Sequence, residues 1–225
     1  MSKWLHRHHF GSKKPTGVPH KFDEVKPPTL IEAYHELKVS CTEQESILFM
    51  DAVHPTPATK ISYGGIRRGP DKPLQTTGSR TGLNIIGGRN VNDISSILVS
   101  KYDSINSQSI LDFFHRLREN YPWSDKLHLI LDGGGYQRSD MVKKAVHWLN
   151  IELDYLPPDS PNLNPIERLW KGMNEKVRTN IYFQNKRDFI AGIDEFFTLT
   201  LANIAVRLWS PINDNFQVLT RASSG

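Results

Sequence analysis

Three acids, Asp51, Asp132 and Glu167, stand where carboxylates can act together. Ser46-Ile47-Leu48-Phe49-Met50 leads into Asp51, and Leu127-His128-Leu129-Ile130-Leu131 leads into Asp132. Each run reads as a short buried strand that ends on an acid. Glu167 follows Asn164-Pro165-Ile166, where Asn as N-cap and Pro at the first helical position open a helix. Carboxylates that converge from two neighbouring strand ends and a helix start give hard oxygen ligands for Mg²⁺ or Mn²⁺. Two such ions about 3.5–4 Å apart can activate a water or hydroxyl and stabilise a leaving oxygen in phosphodiester cleavage. Asp51, Asp132 and Glu167 are therefore the expected catalytic and metal-binding set, with two ions, and their mutual repulsion should raise carboxyl pKa values in the metal-free form.

Each acid also has a local explanation. Asp51 can begin the turn Asp51-Ala52-Val53-His54-Pro55, and Asp132 can be a turn residue before Gly133-Gly134-Gly135. Asn164, Pro165 and Glu167 fit a capping box, in which the glutamate bonds back to the cap. His54 stands close enough to Asp51 either to assist at the site or to cap a turn.

The elements that must position the acids alternate. A short helix is expected around residues 28–38, then the strand ending at Asp51, strand candidates at 81–88 and 94–102, and a helix over 109–120 stopped by Pro122. The strand into Asp132 follows, then a helix over 140–150, a strand over 151–156, a helix from Asn164 to about Thr179, and a last helix over 186–208. The helix after Asn164 carries Ile166, Leu169, Trp170, Met173 and Val177 as one apolar stripe, so Trp170 reads as a core residue. Strands interleaved with helices in this order predict an α/β fold, a mixed five-stranded sheet flanked by helices.

The run Pro157-Pro158-Asp159-Ser160-Pro161-Asn162-Leu163-Asn164-Pro165-Ile166-Glu167-Arg168-Leu169-Trp170 closely resembles the signature of bacterial insertion-sequence transposases of the Tc/mariner superfamily, whose DDE domain carries its last acid in this setting. The interval from Asp132 to Glu167, the segment Phe49-Met50-Asp51-Ala52-Val53-His54-Pro55, Leu131-Asp132-Gly133 and Trp209-Ser210-Pro211-Ile212 extend the resemblance over most of the chain. It implies a ribonuclease H-like fold and an enzyme that cuts the ends of its own element with Mg²⁺ or Mn²⁺ and joins their 3′ hydroxyls to target DNA. Family members often have a histidine where this chain has Gln137. They usually begin with helix-turn-helix modules, and Trp4-Leu5-His6-Arg7-His8-His9-Phe10 looks like the tail of one. The chain is accordingly expected to divide into residues 1–38, a basic linker and remnant of the DNA-binding region, and a catalytic domain at 39–225. An upstream-frame DNA-binding portion and a homodimer in the active complex belong to the same expectation.

Charge agrees with a polyanionic partner, double-stranded DNA. Lys and Arg number 28 against 24 acids, a net +4. Lys60, Arg67, Arg68, Lys72, Arg80 and Arg89 cluster against Asp71 alone, while Arg168 and Lys171 follow Glu167 on its helix. These are the candidate DNA-contacting residues. His6, His8, His9 and His20 fit no metal-site spacing and read as part of the basic arm. Cys41, the single cysteine, excludes an intrachain disulfide and a Cys-based zinc site, and suits the reducing cytoplasm, here in association with the nucleoid. No apolar run approaches the roughly 20 residues of a membrane span. Two other readings share the same residues: a catalytically silent transposase relic that only binds DNA, and another ribonuclease H-like nuclease.

Overall fold

In the computed structural model, which describes Arg7 and residues 26–63, 73–78, 81–93, 97–157 and 163–204, one five-stranded sheet organises the chain. Helix α1 spans Lys26–Ser40; strands β1, β2 and β3 span Glu45–Val53, Asn84–Asn90 and Ile97–Tyr102. Helix α2 (Ser107–Asn120), strand β4 (Lys126–Leu131), helix α3 (Asp140–Trp148) and strand β5 (Ile151–Tyr155) follow. Helices α4 (Pro165–Arg178) and α5 (Lys186–Glu195) complete the order, with a π-helical turn at Phe196–Thr200. The chain stays helical through residue 204 with that turn inside it, and Phe189, Ile193, Phe196 and Leu201 of the expected last helix share one core; the final residues of that helix lie outside the described ones. Arg67, Arg68, Lys72, Arg80, Trp209-Ser210-Pro211-Ile212 and most of the N-terminal arm also lie outside them.

The strand order is β3-β2-β1-β4-β5. β1 pairs antiparallel with β2 and parallel with β4, so the sheet is mixed, and β1 is central. Burial on both faces explains why β1 and β4 read as continuous apolar runs. Leu48, Met50, Ile86, Leu127, Leu129 and Leu131 point to one face, where Ile110, Phe113, Phe114 and Leu117 of α2 and Val142 of α3 cover them. Helix α2 starts cleanly because Asn106 and Ser109 form a reciprocal capping box.

The other face is covered in two halves. Over β1–β3, Ile166, Leu169, Trp170 and Met173 of α4 pack with Ile85, Phe189, Ile193 and Phe196. Over β1 and β4, Tyr34 of α1 packs with Ile47, Phe49, Ile130 and Leu163. Each such side chain contributes about 1.5–3 kcal/mol when fully buried. Because Tyr34 belongs to this core, the boundary expected after residue 38 falls at the end of a packed helix, and the folded unit includes α1. None of the described helices is long and apolar enough to cross a membrane.

Candidate active site

Asp51 lies within β1, opposite Gly87 of β2, and Phe49 pairs with Ile130 across the parallel β1–β4 ladder. Carrying that register two residues further sets Asp51 beside Asp132, the residue that follows the end of β4. Side chains alternate along a strand, so Asp51 shares its face with Phe49, and Asp132 shares its face with Ile130. This is the face that α4 covers.

Asn164 aims Glu167 at that pair. Its side-chain oxygen caps α4 by accepting from the Ile166 N–H at 3.3 Å, and its amide donates to the Met50 carbonyl at 3.4 Å. The second bond ties the helix start to β1 at the residue before Asp51. Pro165 occupies the first helical position, where a missing N–H costs nothing. The cap closes through Ile166, and no capping box through Glu167 is formed, which leaves that carboxylate to face the other acids.

The three acids feel one another. Burial is the main force pushing the Asp51 carboxyl up to about 7, and the Glu167 and Asp132 charges add to it. Glu167 is likewise raised, first by burial and then by Asp132. The groups that pull Asp51 back are neutral N–H donors, the Ala52 backbone and the Trp170 indole. Trp170 Nε1 donates to Asp51 Oδ2 at 2.9 Å. The expected core role of Trp170 holds, with 4% of the residue exposed, but its polar end belongs to the site. Gly87 makes that contact possible, since a Cβ there would stand 2.5 Å from Trp170 Cη2.

Asp132 is held through the loop that follows it. Gly133 adopts φ +75°, a left-handed conformation, and a Cβ on it would meet Arg138 Nη2 at 2.5 Å. Arg138 Nε donates to the Gly133 carbonyl at 2.9 Å, and its guanidinium lies over the Tyr155 ring at 4.3 Å. Buried Gln137 accepts from the Gly134 N–H at 2.8 Å through Oε1. Gln137 thus braces the loop after the second acid. Tyr136 went unnoticed in the sequence; its phenol is pushed up by burial first, with the Asp132 and Asp51 charges adding to it, and the residue packs against the core under α2. His54 is engaged elsewhere: its Nδ1 meets Asn84 Oδ1 at 2.7 Å across the β1–β2 ladder.

The basic residues divide. Lys60 is exposed, with its backbone N–H bonded to the Arg178 carbonyl at 3.0 Å near the end of α4. Lys171 is exposed one turn beyond Glu167, and Arg168 is partly covered, with burial lowering its pKa. Arg89 contradicts the expectation: with 0% of the residue exposed, it is packed inside the fold and does not present its charge to a DNA backbone. It sits at the Phe49 register position in β2, on the covered face of the sheet.

Two strands and a helix that bring acids from β1, the end of β4 and the start of α4 to one face are a distinctive plan. The family model described as DDE superfamily endonuclease matches residues 46–190, a span that includes all three acids and more than half of the chain. The chain belongs to the DDE superfamily endonucleases. Its fold is that of the catalytic domain of Mos1 mariner transposase, with a TM-score of 0.59 at 14% identity over 87% of this chain and 91% of that one. The Mos1 strand transfer complex aligns with a TM-score of 0.66 at 14% identity, over 97% of this chain and 70% of that chain. The Mos1 mariner paired-end complex with Mn gives a TM-score of 0.64 at 15% identity over 96% and 71%. A curated relative, uncharacterized protein y4pE/y4sA of Sinorhizobium fredii (strain NBRC 101917 / NGR234), is 37% identical over 62 residues, 28% of this chain and 44% of that protein. The match thus spans less than half of the curated relative.

As a DDE endonuclease, the chain offers an all-oxygen donor set suited to hard divalent cations. The ligand atoms of Asp51, Asp132 and Glu167 do not all lie within 4.8 Å of one another. Among the described residues, the one cluster of three or more His, Cys, Asp or Glu ligands with all ligand atoms within 4.8 Å of one another is Cys41, Glu45 and His128.

Proposed function

We propose that this DDE endonuclease is the catalytic domain of an insertion-sequence transposase, performing metal-dependent cleavage and strand transfer at element ends. The observation that carries the reading is the β1–β4 register that sets Asp51 beside Asp132, with the Asn164 bond to the Met50 carbonyl bringing the start of the Glu167 helix to the same strand. Asp51, Asp132 and Glu167 would hold Mg²⁺ or Mn²⁺, two ions in the full site. Bound there, such ions supply activation of the attacking water or 3′ hydroxyl and charge stabilisation at the leaving oxygen. Asp51, whose carboxyl is raised to about 7, would release the proton it holds on binding an ion there. Trp170 orients Asp51, Asn164 aims Glu167, and the Gln137 and Arg138 contacts fix the loop after Asp132.

The partner is double-stranded DNA, with Lys60, Arg168 and Lys171 as described candidates for phosphate contact and Arg67, Arg68, Lys72 and Arg80 as further ones in the sequence. The active assembly is read as a homodimer in the cytoplasm, working on nucleoid DNA, with base-specific reading supplied by a DNA-binding portion outside the catalytic domain.

The test is cleavage of DNA carrying element ends in Mn²⁺, by the chain supplied with its DNA-binding portion. Glu167→Gln should abolish nicking and joining while urea unfolding stays within about 0.5 kcal/mol, the usual range for a surface change away from packing. Equal cleavage by both proteins would remove Glu167 from the chemistry. No cleavage by either folded protein would favour a chain that only binds DNA.

A further inference from the structure

At the far end of the same two strands, roughly 20 Å from Asp51 at ~3.3 Å per residue, stands a second cluster with different donors. Glu45 opens β1, His128 lies in β4, and Cys41 follows α1. Their ligand atoms all lie within 4.8 Å of one another. His128 is 5% exposed, and both ring nitrogens are buried without a hydrogen-bond partner. Its Nε2 is 3.9 Å from Glu45 Oε2, and its Nδ1 is 3.6 Å from Glu152 Oε2, both too long for hydrogen bonds. A covered imidazole with two idle nitrogens costs about 1–3 kcal/mol for each unmet group unless something engages it.

We propose that Cys41, Glu45 and His128 bind a borderline-soft divalent ion of the Zn²⁺ class, at a site separate from the carboxylate set. Tetrahedral zinc with bonds of ~2.0–2.3 Å spaces its ligand atoms about 3.3–3.7 Å apart, so the 3.9 Å between Nε2 and Oε2 needs only a small closure. Thiolate and imidazole select such an ion over Mg²⁺, which suits only hard oxygen sets. Glu152 is placed to accept from Nδ1 and fix the tautomer, the usual partner of a metal-bound histidine. A single cysteine would then be enough, because Glu45 and His128 would supply two further ligands and water the fourth position. Such a site would staple the end of α1 to β1 and β4, anchoring the segment that leads into the catalytic sheet.

The chain, stripped with chelator, is titrated with Co²⁺ alone in excess Mg²⁺. One equivalent should produce a thiolate-to-cobalt charge-transfer band that Cys41→Ser removes and Asp51→Asn leaves in place. Glu45→Gln and His128→Gln should weaken Co²⁺ binding about tenfold or more, and Glu152→Gln by about 10- to 100-fold. Absence of the band in folded wild-type chain overturns the proposal. So does a band with the same midpoint in wild type, Glu45→Gln and His128→Gln, which would mean that the thiol acts alone.

Discussion

The indole N–H of Trp170 reaches Asp51 Oδ2 at 2.9 Å, so a residue of the hydrophobic core also holds the first acid of the site. The bond favours the charged carboxylate, against burial and the neighbouring acids that favour the protonated one. Trp170→Phe keeps an aromatic side chain, removes the donor and leaves part of the indole's space empty. It should raise the Asp51 pKa further and move the pH midpoint of Mn²⁺ binding upward, with a stability loss of about 1–3 kcal/mol from the lost bond and the space together. Calorimetric Mn²⁺ titrations from pH 6 to 8 measure the shift. Identical midpoints would show that the bond does not tune the acid.

Asp51 links folding to pH in a definite direction. Its folded pKa, about 7, lies above its ordinary 3.8. The stability it contributes is therefore fully present below about 4 and is lost as pH rises through about 7. Glu167 is shifted the same way. In chelator, Asp51→Asn should be more stable than wild type at pH 8, by a few kcal/mol at most, and the gap should close toward pH 5. Urea melts at both pH values decide it. A gap that is equal at the two values would refute the raised pKa.

Gly87 is the backbone counterpart of Trp170. A methyl group there would collide with the indole, and the ring cannot retreat without leaving Asp51. Gly87→Ala should cost about 1–3 kcal/mol by overpacking and weaken Mn²⁺ binding together with stability. Gly135→Ala, where a Cβ meets nothing within 4 Å, is the control and should change little. Unaltered Mn²⁺ affinity in Gly87→Ala would separate the packing from the site.

Much of this architecture was legible in the sequence because its signals are local. The apolar runs into Asp51 and Asp132 became β1 and β4, and the Asn164-Pro165 helix start lies within one residue of expectation. What escaped are relations between distant segments. Asn164 reads as a cap, but its bond to the Met50 carbonyl depends on how α4 crosses the sheet. Gln137 read as a departure from a family pattern, whereas its side chain satisfies the Gly134 N–H. Arg89 read as one more surface cation because charge clustering along a chain carries no information about which face of a strand is covered. Helix α1 looked like the end of a linker because its core contact rests on Tyr34, whose partners Phe49 and Ile130 are supplied by strands.

The placement of the cations gives a last, separable prediction about DNA. With exposed lysines such as Lys60 and Lys171 as the candidate contacts, affinity should rest on phosphates and fall with salt, with a log–log slope of about −0.9 per phosphate neutralised. Lys60 and Lys171 are exposed, so replacing either with alanine should flatten the slope by about one phosphate's worth and weaken binding equally on element-end and scrambled duplexes. Arg89→Met should behave differently, because the residue is buried: the slope should stay the same while the urea midpoint falls. Salt titrations by fluorescence anisotropy, paired with urea melts, distinguish the two classes. A flattened slope in folded Arg89→Met would return that guanidinium to the DNA surface, and a strong preference for element ends would mean that a base-reading element lies within this chain.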